Sequence, residues 1–159
     1  MSDTPRYKRS TYEVRVQRLN ESAGTIRIDS PENAVSYWNE KVTPAPWYDP
    51  DKEMLVVLTL NTRLIVTGHT MVSLGTINES IAHPRDIFRA SVAMGAFGIV
   101  LMHNHPSGDP SPSTADRELT RQLTAGAKLL QIQLLDHVIV GTGMLLETQH
   151  FSFKQAGLM

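Results

Sequence analysis

Strands and helices alternate along the chain after residue 50, which predicts an α/β (mixed α+β) fold: a single central mixed β-sheet sandwiched by helices. Three observations predict it. The runs EMLVVLTL and GIVLMHN are short, compact and apolar, the pattern of strands buried on both faces. Two other segments carry apolar residues at helical spacing, one with Ile87, Phe88, Val92 and Ala93, the other with Leu119, Leu123, Ala127 and Leu130. Finally, 159 residues suffice for one domain with a real hydrophobic core and are too few to expect two.

In chain order, residues 1–10 read as a loose terminus, and TYEVRVQRL alternates Tyr12, Val14 and Val16 with polar residues, as a strand does. Ser30-Pro31-Glu32 starts a helix with a capping serine, a first-turn proline and an acidic residue near the positive helix end. That helix is expected to run to about Lys41. TPAPWYDPD, with Pro44, Pro46 and Pro50, marks the main linker, and Trp38 and Trp47 flank it and pack it down. The expected organisation is an N-terminal extension over 1–48 packing on a main domain over 49–159. A buried strand begins near Glu53, Asn61-Thr62 turns the chain into RLIVTGH, and VSLGTI is a weaker extended piece after it. A helix starts near His83-Pro84, and Gly95 and Gly98 loosen its end before GIVLMHN forms the second buried strand. After a proline-rich turn Ser113 opens another helix, QIQLLDHVIVG is a strand, and GMLLETQHFSF supplies a last one.

Composition narrows the function classes. The 41% apolar and 19% charged content is ordinary for a soluble globular protein. Cysteine is absent, which removes disulfides, thiolate nucleophiles and cysteine metal ligands together, so any metal must be held by His, Asp or Glu. The longest apolar run, around Gly95–Met102, is far short of the about 20 residues of a membrane span. MSDTPRYKRS lacks the apolar core of a signal peptide, and a cytoplasmic protein is expected. A net charge of −1 argues against a strong non-specific nucleic-acid binder. Arg6, Lys8, Arg9, Arg15, Arg18 and Arg27 make the first stretch locally basic. With no aromatic stacking platform beside them, they read as a solvated edge rather than a nucleic-acid arm.

The chemistry concentrates in HNHPSGDPSPSTAD, from His103 to Asp116. Residues two apart on a strand share a face, so His103 and His105 emerge together at the end of an apolar strand and Asn104 faces away, in a packing role. A bare His-x-His often only hydrogen-bonds locally. Here Pro106, Gly108, Pro110 and Pro112 enforce a stiff turn that brings the next helix's N-terminus back beside the strand end. Ser113 and Asp116 have the spacing of an N-cap and its third residue, which by itself implies only capping. The helix dipole nevertheless favours Asp116 ionised, as a metal ligand must be. One segment thus delivers two imidazoles and a carboxylate to one place, the arrangement of a hydrolytic zinc centre with a fourth position open.

His103-x-His105, seven residues, then Ser113-x-x-Asp116 resembles the JAMM motif of JAB/MPN-type metalloproteases. The flanks HPRDIFRASVAMGAFGIVLM and RELTRQL, with the later LLDHVIVG, resemble the RadC-like branch over roughly residues 50–155. The resemblance implies a JAB/MPN-like (cytidine-deaminase-like) architecture. It also implies one zinc ion per chain held by His103, His105 and Asp116, and hydrolysis of peptide or isopeptide bonds in a peptide or protein substrate. It further matches Glu53 to the family's upstream glutamate, the general base that takes a proton from water and passes it to the leaving amine. Ser113 matches the family's oxyanion donor, a role compatible with capping. Spacing alone does not single out Glu53, and Asp86 and Asp136 are rival carboxylates; Asp86 stands where the family often has glutamate.

Other histidines carry less. For His137 a place backing the site, a substrate contact and a satisfied core residue are all open, the apolar strand favouring the last; His69, His83 and His150 have no supporting pattern. Two competing functions stand beside hydrolysis. The RadC-like branch carries a traditional DNA-repair label, but the helix-hairpin-helix region that typically precedes this domain is not recognisable in residues 1–48. A non-catalytic interaction module is disfavoured by the intact ligand set. The HNH nuclease label does not apply, because it describes residues dispersed over a ββα-metal unit rather than a tripeptide.

Overall fold

The computed structural model describes residues 26–75, 82–142 and 148–159. Its strands β1 (Met54–Leu60), β2 (Val66–Leu74), β3 (Gly98–His105), β4 (Gln133–Thr142) and β5 (Thr148–Ser152) form one sheet in the order β2-β1-β3-β4-β5. β3 and β4 run parallel; the other neighbouring pairs are antiparallel. A parallel pair needs a crossover, and α3 (Thr114–Leu130) provides it. The other described helices are α1 (Pro31–Tyr37), which continues into a π-helical turn over Trp38–Val42, and α2 (Pro84–Ala93). The mixed sheet flanked by helices is the fold class expected.

The period of two along the central strands splits the core into two layers. Met54, Val56, Leu58 and Leu60 of β1 join Val100 and Met102 of β3 beneath α1. Leu55 and Val57 join Ile99 and Leu101 beneath α2 and α3, where Ile87, Phe88, Leu123 and Ala127 meet them. Both strands are therefore continuous apolar runs, buried on both faces. Continued to the end of β3, the same alternation puts His103 and His105 on the α2/α3 face and Asn104 on the α1 face.

The segment before β1 forms one wall of this core. Ile28, Ala34, Val35, Tyr37, Trp38 and Val42 are buried in it. Ser30 caps α1, its Oγ accepting from Asn33 N at 3.3 Å. The helix expected to reach Lys41 does continue that far, but its last turn widens: Thr43 N donates to Trp38 O at 3.0 Å. This keeps both Trp38 and Val42 in the core. Trp47 lies partly buried against the same layer. Two expected extended pieces are a single edge strand, β2, which runs unbroken through Gly68 with register shifts opposite β1. TYEVRVQRL, the basic residues before Arg27, and 143–147 lie outside the described residues. Among those described, no helix is long and apolar enough to cross a membrane.

Two sets of contacts at the strand ends fix the surroundings of the histidine pair. Asn104, 1% exposed, is bonded rather than merely packed. Its Oδ1 accepts from Met54 N at 2.9 Å and its Nδ2 donates to Lys52 O at 3.0 Å, so one amide brackets Glu53 from both sides. Gly75 N adds a third tie, donating to Glu53 O at 2.8 Å. On β4, Gly141 pairs with His105. A Cβ at Gly141 would collide with the Gly108 carbonyl and approach Pro110 Cδ to 3.0 Å. Gly108 itself sits at φ +84°, a left-handed conformation natural to glycine.

Replacing Asn104→Leu leaves the buried Met54 N–H without a partner and releases the Lys52 carbonyl, and a loss of about 1–3 kcal/mol is expected in denaturant unfolding. Gly141→Ala forces the 106–112 turn off the sheet end, and a loss of about 1–3 kcal/mol is likewise expected, measured as a lower urea midpoint at unchanged m-value.

Candidate metal centre

Strand, turn and helix together bring three side chains that could hold a metal to one place. β3 carries His103 and His105 on one face, and the stiff turn after it returns the chain to the N-terminus of α3, where Asp116 stands in the first turn. His103 Nε2 lies 3.0 Å from His105 Nε2 and 3.2 Å from Asp116 Oδ1, and His105 Nε2 lies 3.6 Å from Asp116 Oδ2. One ligand atom from each residue falls within 4.8 Å of the others, and this is the metal-competent cluster found among the described residues. The His103 side chain is 1% exposed, that of Asp116 9% and that of His105 15%, so the site opens on the His105 side.

Each ligand is held by its other atoms. His105 Nδ1 faces the Asp109 carbonyl at 2.8 Å. A carbonyl only accepts, so Nδ1 carries the hydrogen and neutral His105 has its lone pair on Nε2, toward the cluster. His103 Nδ1 is occupied by His137 Nε2 at 2.9 Å, which again leaves Nε2 facing inward. Ser113 and Asp116 form the capping box that their spacing predicts. Asp116 N donates to Ser113 Oγ at 3.1 Å, while Ser113 N and Ser113 Oγ donate to Asp116 Oδ2 at 2.7 and 2.6 Å. Those two donors satisfy Oδ2. Oδ1 is left with free lone pairs, beside His103.

This donor set fits a cation. Two neutral imidazole lone pairs and a carboxylate oxygen aimed at one another repel unless a proton or a metal ion sits among them. Burial pushes the Asp116 carboxyl up, but hydrogen bonds from His103 and His105 whenever a proton sits on their Nε2 atoms, and from Ser113, outweigh it and hold the group well below the usual carboxylate range. The hydrogen bond to Asp116 raises His105 against the opposing effect of burial. Two nitrogens and one oxygen suit zinc or a similar borderline ion better than magnesium or calcium, which take oxygen ligands.

Glu53 stands just before β1. β1 and β3 pair with Leu55 opposite His103, and two residues further along that register Glu53 comes opposite His105. It is half-buried and close enough for its charge to act on His105, yet it is not part of the ligand cluster. The rival carboxylates lie elsewhere. Asp136 accepts from His137 N, Lys154 N and Ser152 Oγ, tying down the segment after β5, and Asp86 sits in the first turn of α2.

His137 is the satisfied core residue the sequence suggested, and it also backs the site. It is fully buried, its partners are His103 and Thr120, and its ring stacks on Phe153 at 4.7 Å. Burial lowers its pKa well below the ordinary histidine value. Thr120 and the Asp109 carbonyl went unseen in the sequence. The one available signal was that Thr120 lies four residues after Asp116 on the same helix face. His69 hydrogen-bonds Tyr37 at 2.7 Å, His150 lies 3.8 Å from Glu32, and His83 precedes α2; none belongs to the cluster.

A family model described as the RadC-like JAB domain matches residues 28–158. A UPF0758 protein of Chlorobium luteolum is 38% identical over 143 residues, covering 89% of this chain and 60% of that protein. Another, from Chlorobaculum parvum, is 47% identical over 111 residues, covering 70% of this chain and 48% of the relative. A third, from Clostridium acetobutylicum, is 38% identical over 135 residues, or 85% of this chain and 55% of its own length. The chain thus spans about half the length of the curated relatives it matches. A match that takes in the whole sheet and every residue of the cluster settles its kinship: the chain belongs to the RadC-like JAB domain family.

Proposed function

We propose that this chain is a zinc-dependent hydrolase cleaving a peptide or isopeptide bond in a peptide or protein substrate. The observation that carries the reading is the convergence of His103 Nε2, His105 Nε2 and an ionised Asp116, with Glu53 on the strand end opposite His105. A zinc ion held by those three residues would supply Lewis acidity and acidify a water at its open position near neutral pH.

The chain's own residues have the remaining work. Glu53 receives the proton from water and relays it to the leaving nitrogen, so the carboxylate ends the cycle as it began. Its backbone is fixed by Asn104 and Gly75, which limits how far the carboxylate can wander from that task. Ser113 holds Asp116 in orientation and caps α3. As an oxyanion donor it must turn its single hydroxyl hydrogen away from Oδ2, which then keeps the Ser113 N–H as partner. The partly exposed side of His105 supports entry of substrate from there.

Metal analysis of the purified chain is expected to give about one zinc per chain, falling to near zero in His103→Ala or after dialysis against a chelator. A chain that never retains a transition metal would sink the reading. In a peptide and isopeptide cleavage screen, Glu53→Gln is expected to keep its metal while losing about 10²–10⁴-fold in turnover. Wild-type rates in that variant would remove Glu53 from the mechanism.

A further inference from the structure

Behind the ligands runs a closed hydrogen-bond circuit. His103 of β3 meets His137 of β4 at 2.9 Å, and His137 Nδ1 meets Thr120 Oγ1 of α3 at 2.6 Å. Thr120 Oγ1 lies 2.6 Å from the backbone carbonyl of Asp116, itself the third ligand. All the members are buried, and no buried side-chain polar atom among the described residues lacks a partner.

The circuit has a direction. A threonine hydroxyl has one hydrogen and a carbonyl can only accept, so that hydrogen goes to Asp116 O. His137 Nδ1 must then be the donor toward Thr120. A fully buried, neutral His137 has its remaining lone pair on Nε2, where it accepts from His103 Nδ1–H. Neutral His103 is left with its lone pair on Nε2, the atom that faces His105 and Asp116.

We propose that Thr120 is a positioning residue for the metal centre: acting through His137, its hydroxyl selects the His103 tautomer that can bind a metal through Nε2. The proposal rests on the metal-centre reading and adds to it where the ligand's proton is set. Without the hydroxyl, a His137 Nδ1–H would point at an apolar group in a dry interior, at the cost of an unmade bond. The cheaper arrangement moves that hydrogen to His137 Nε2, which donates to His103 Nδ1 and drives the His103 hydrogen onto Nε2. A hydrogen there occupies the place a metal must take. Helix α3 thus contributes twice, through the Asp116 carboxylate and, one turn later, through the orientation of His103.

Thr120→Val keeps the volume and deletes the hydroxyl; Thr120→Ser restores it. Zinc titration against a chromophoric chelator is expected to show Thr120→Val binding about 10–100-fold more weakly than wild type, with Thr120→Ser recovering the loss. Unfolding of each variant in chelator reports whether the metal-free fold is intact. Independently, long-range ¹H–¹⁵N spectra of metal-free wild type should show His103 protonated at Nδ1 and His137 bare at Nε2, and Thr120→Val should reverse the pair. Wild-type zinc affinity in Thr120→Val, or a wild-type His103 bare at Nδ1, overturns the proposal. If wild type binds no zinc, the metal-centre reading fails, while the spectra still decide the tautomer; if Thr120→Val does not fold, the wild-type spectrum and Thr120→Ser decide it.

Discussion

A β-strand sends successive side chains to opposite faces, and at the end of β3 that rule divides three consecutive polar residues between two tasks. His103 and His105 turn toward α3 and form two members of the group that could hold a metal. Asn104, between them, turns the other way and grips the backbone on both sides of Glu53. A slip of one residue in register would exchange the faces and lose both arrangements at once. The apolar run before these residues, buried on both faces, is what holds the register in place.

The location of the centre is set by the single parallel pairing described. β3 and β4 point the same way, so the chain must cross over, and the start of α3 falls beside the end of β3. Ligands in open α/β sheets gather at the carboxyl ends of strands for this reason. Here the helix N-terminus adds a field that favours an ionised carboxylate. The proline-rich turn between the two elements is stiff, and it packs so closely on Gly141 that β4 acts as its floor. Rigidity in the turn fixes the Asp109 carbonyl, and through it the ring of His105.

What the sequence made legible was local. The strand alternation of His103 and His105 and the capping interval from Ser113 to Asp116 each lie within a single element or turn, so periodicity alone places them. Glu53 lies 50 residues before His103, and only the pairing of β1 with β3 brings them together. Motif likeness singled it out; spacing did not. The link between His137 and Thr120 escaped for a similar reason, since their meeting depends on how α3 settles on β4, a tertiary fact with no periodic trace. The widening of the helix after Tyr37 and the unbroken course of β2 through Gly68 were likewise decided by packing and pairing rather than by propensity.

The capping box has a consequence for motion. Helix ends are ordinarily the first parts of a fold to fray, because their leading N–H groups lack partners within the helix. The first turn of α3 is bound at Asp116 by Ser113 and by the hydroxyl of Thr120 on its carbonyl, with His103 Nε2 3.2 Å from the carboxylate. That turn cannot open without dismantling the ligand set. Local opening of that turn, the motion amide exchange reports, would therefore carry Asp116 away from His103 and His105.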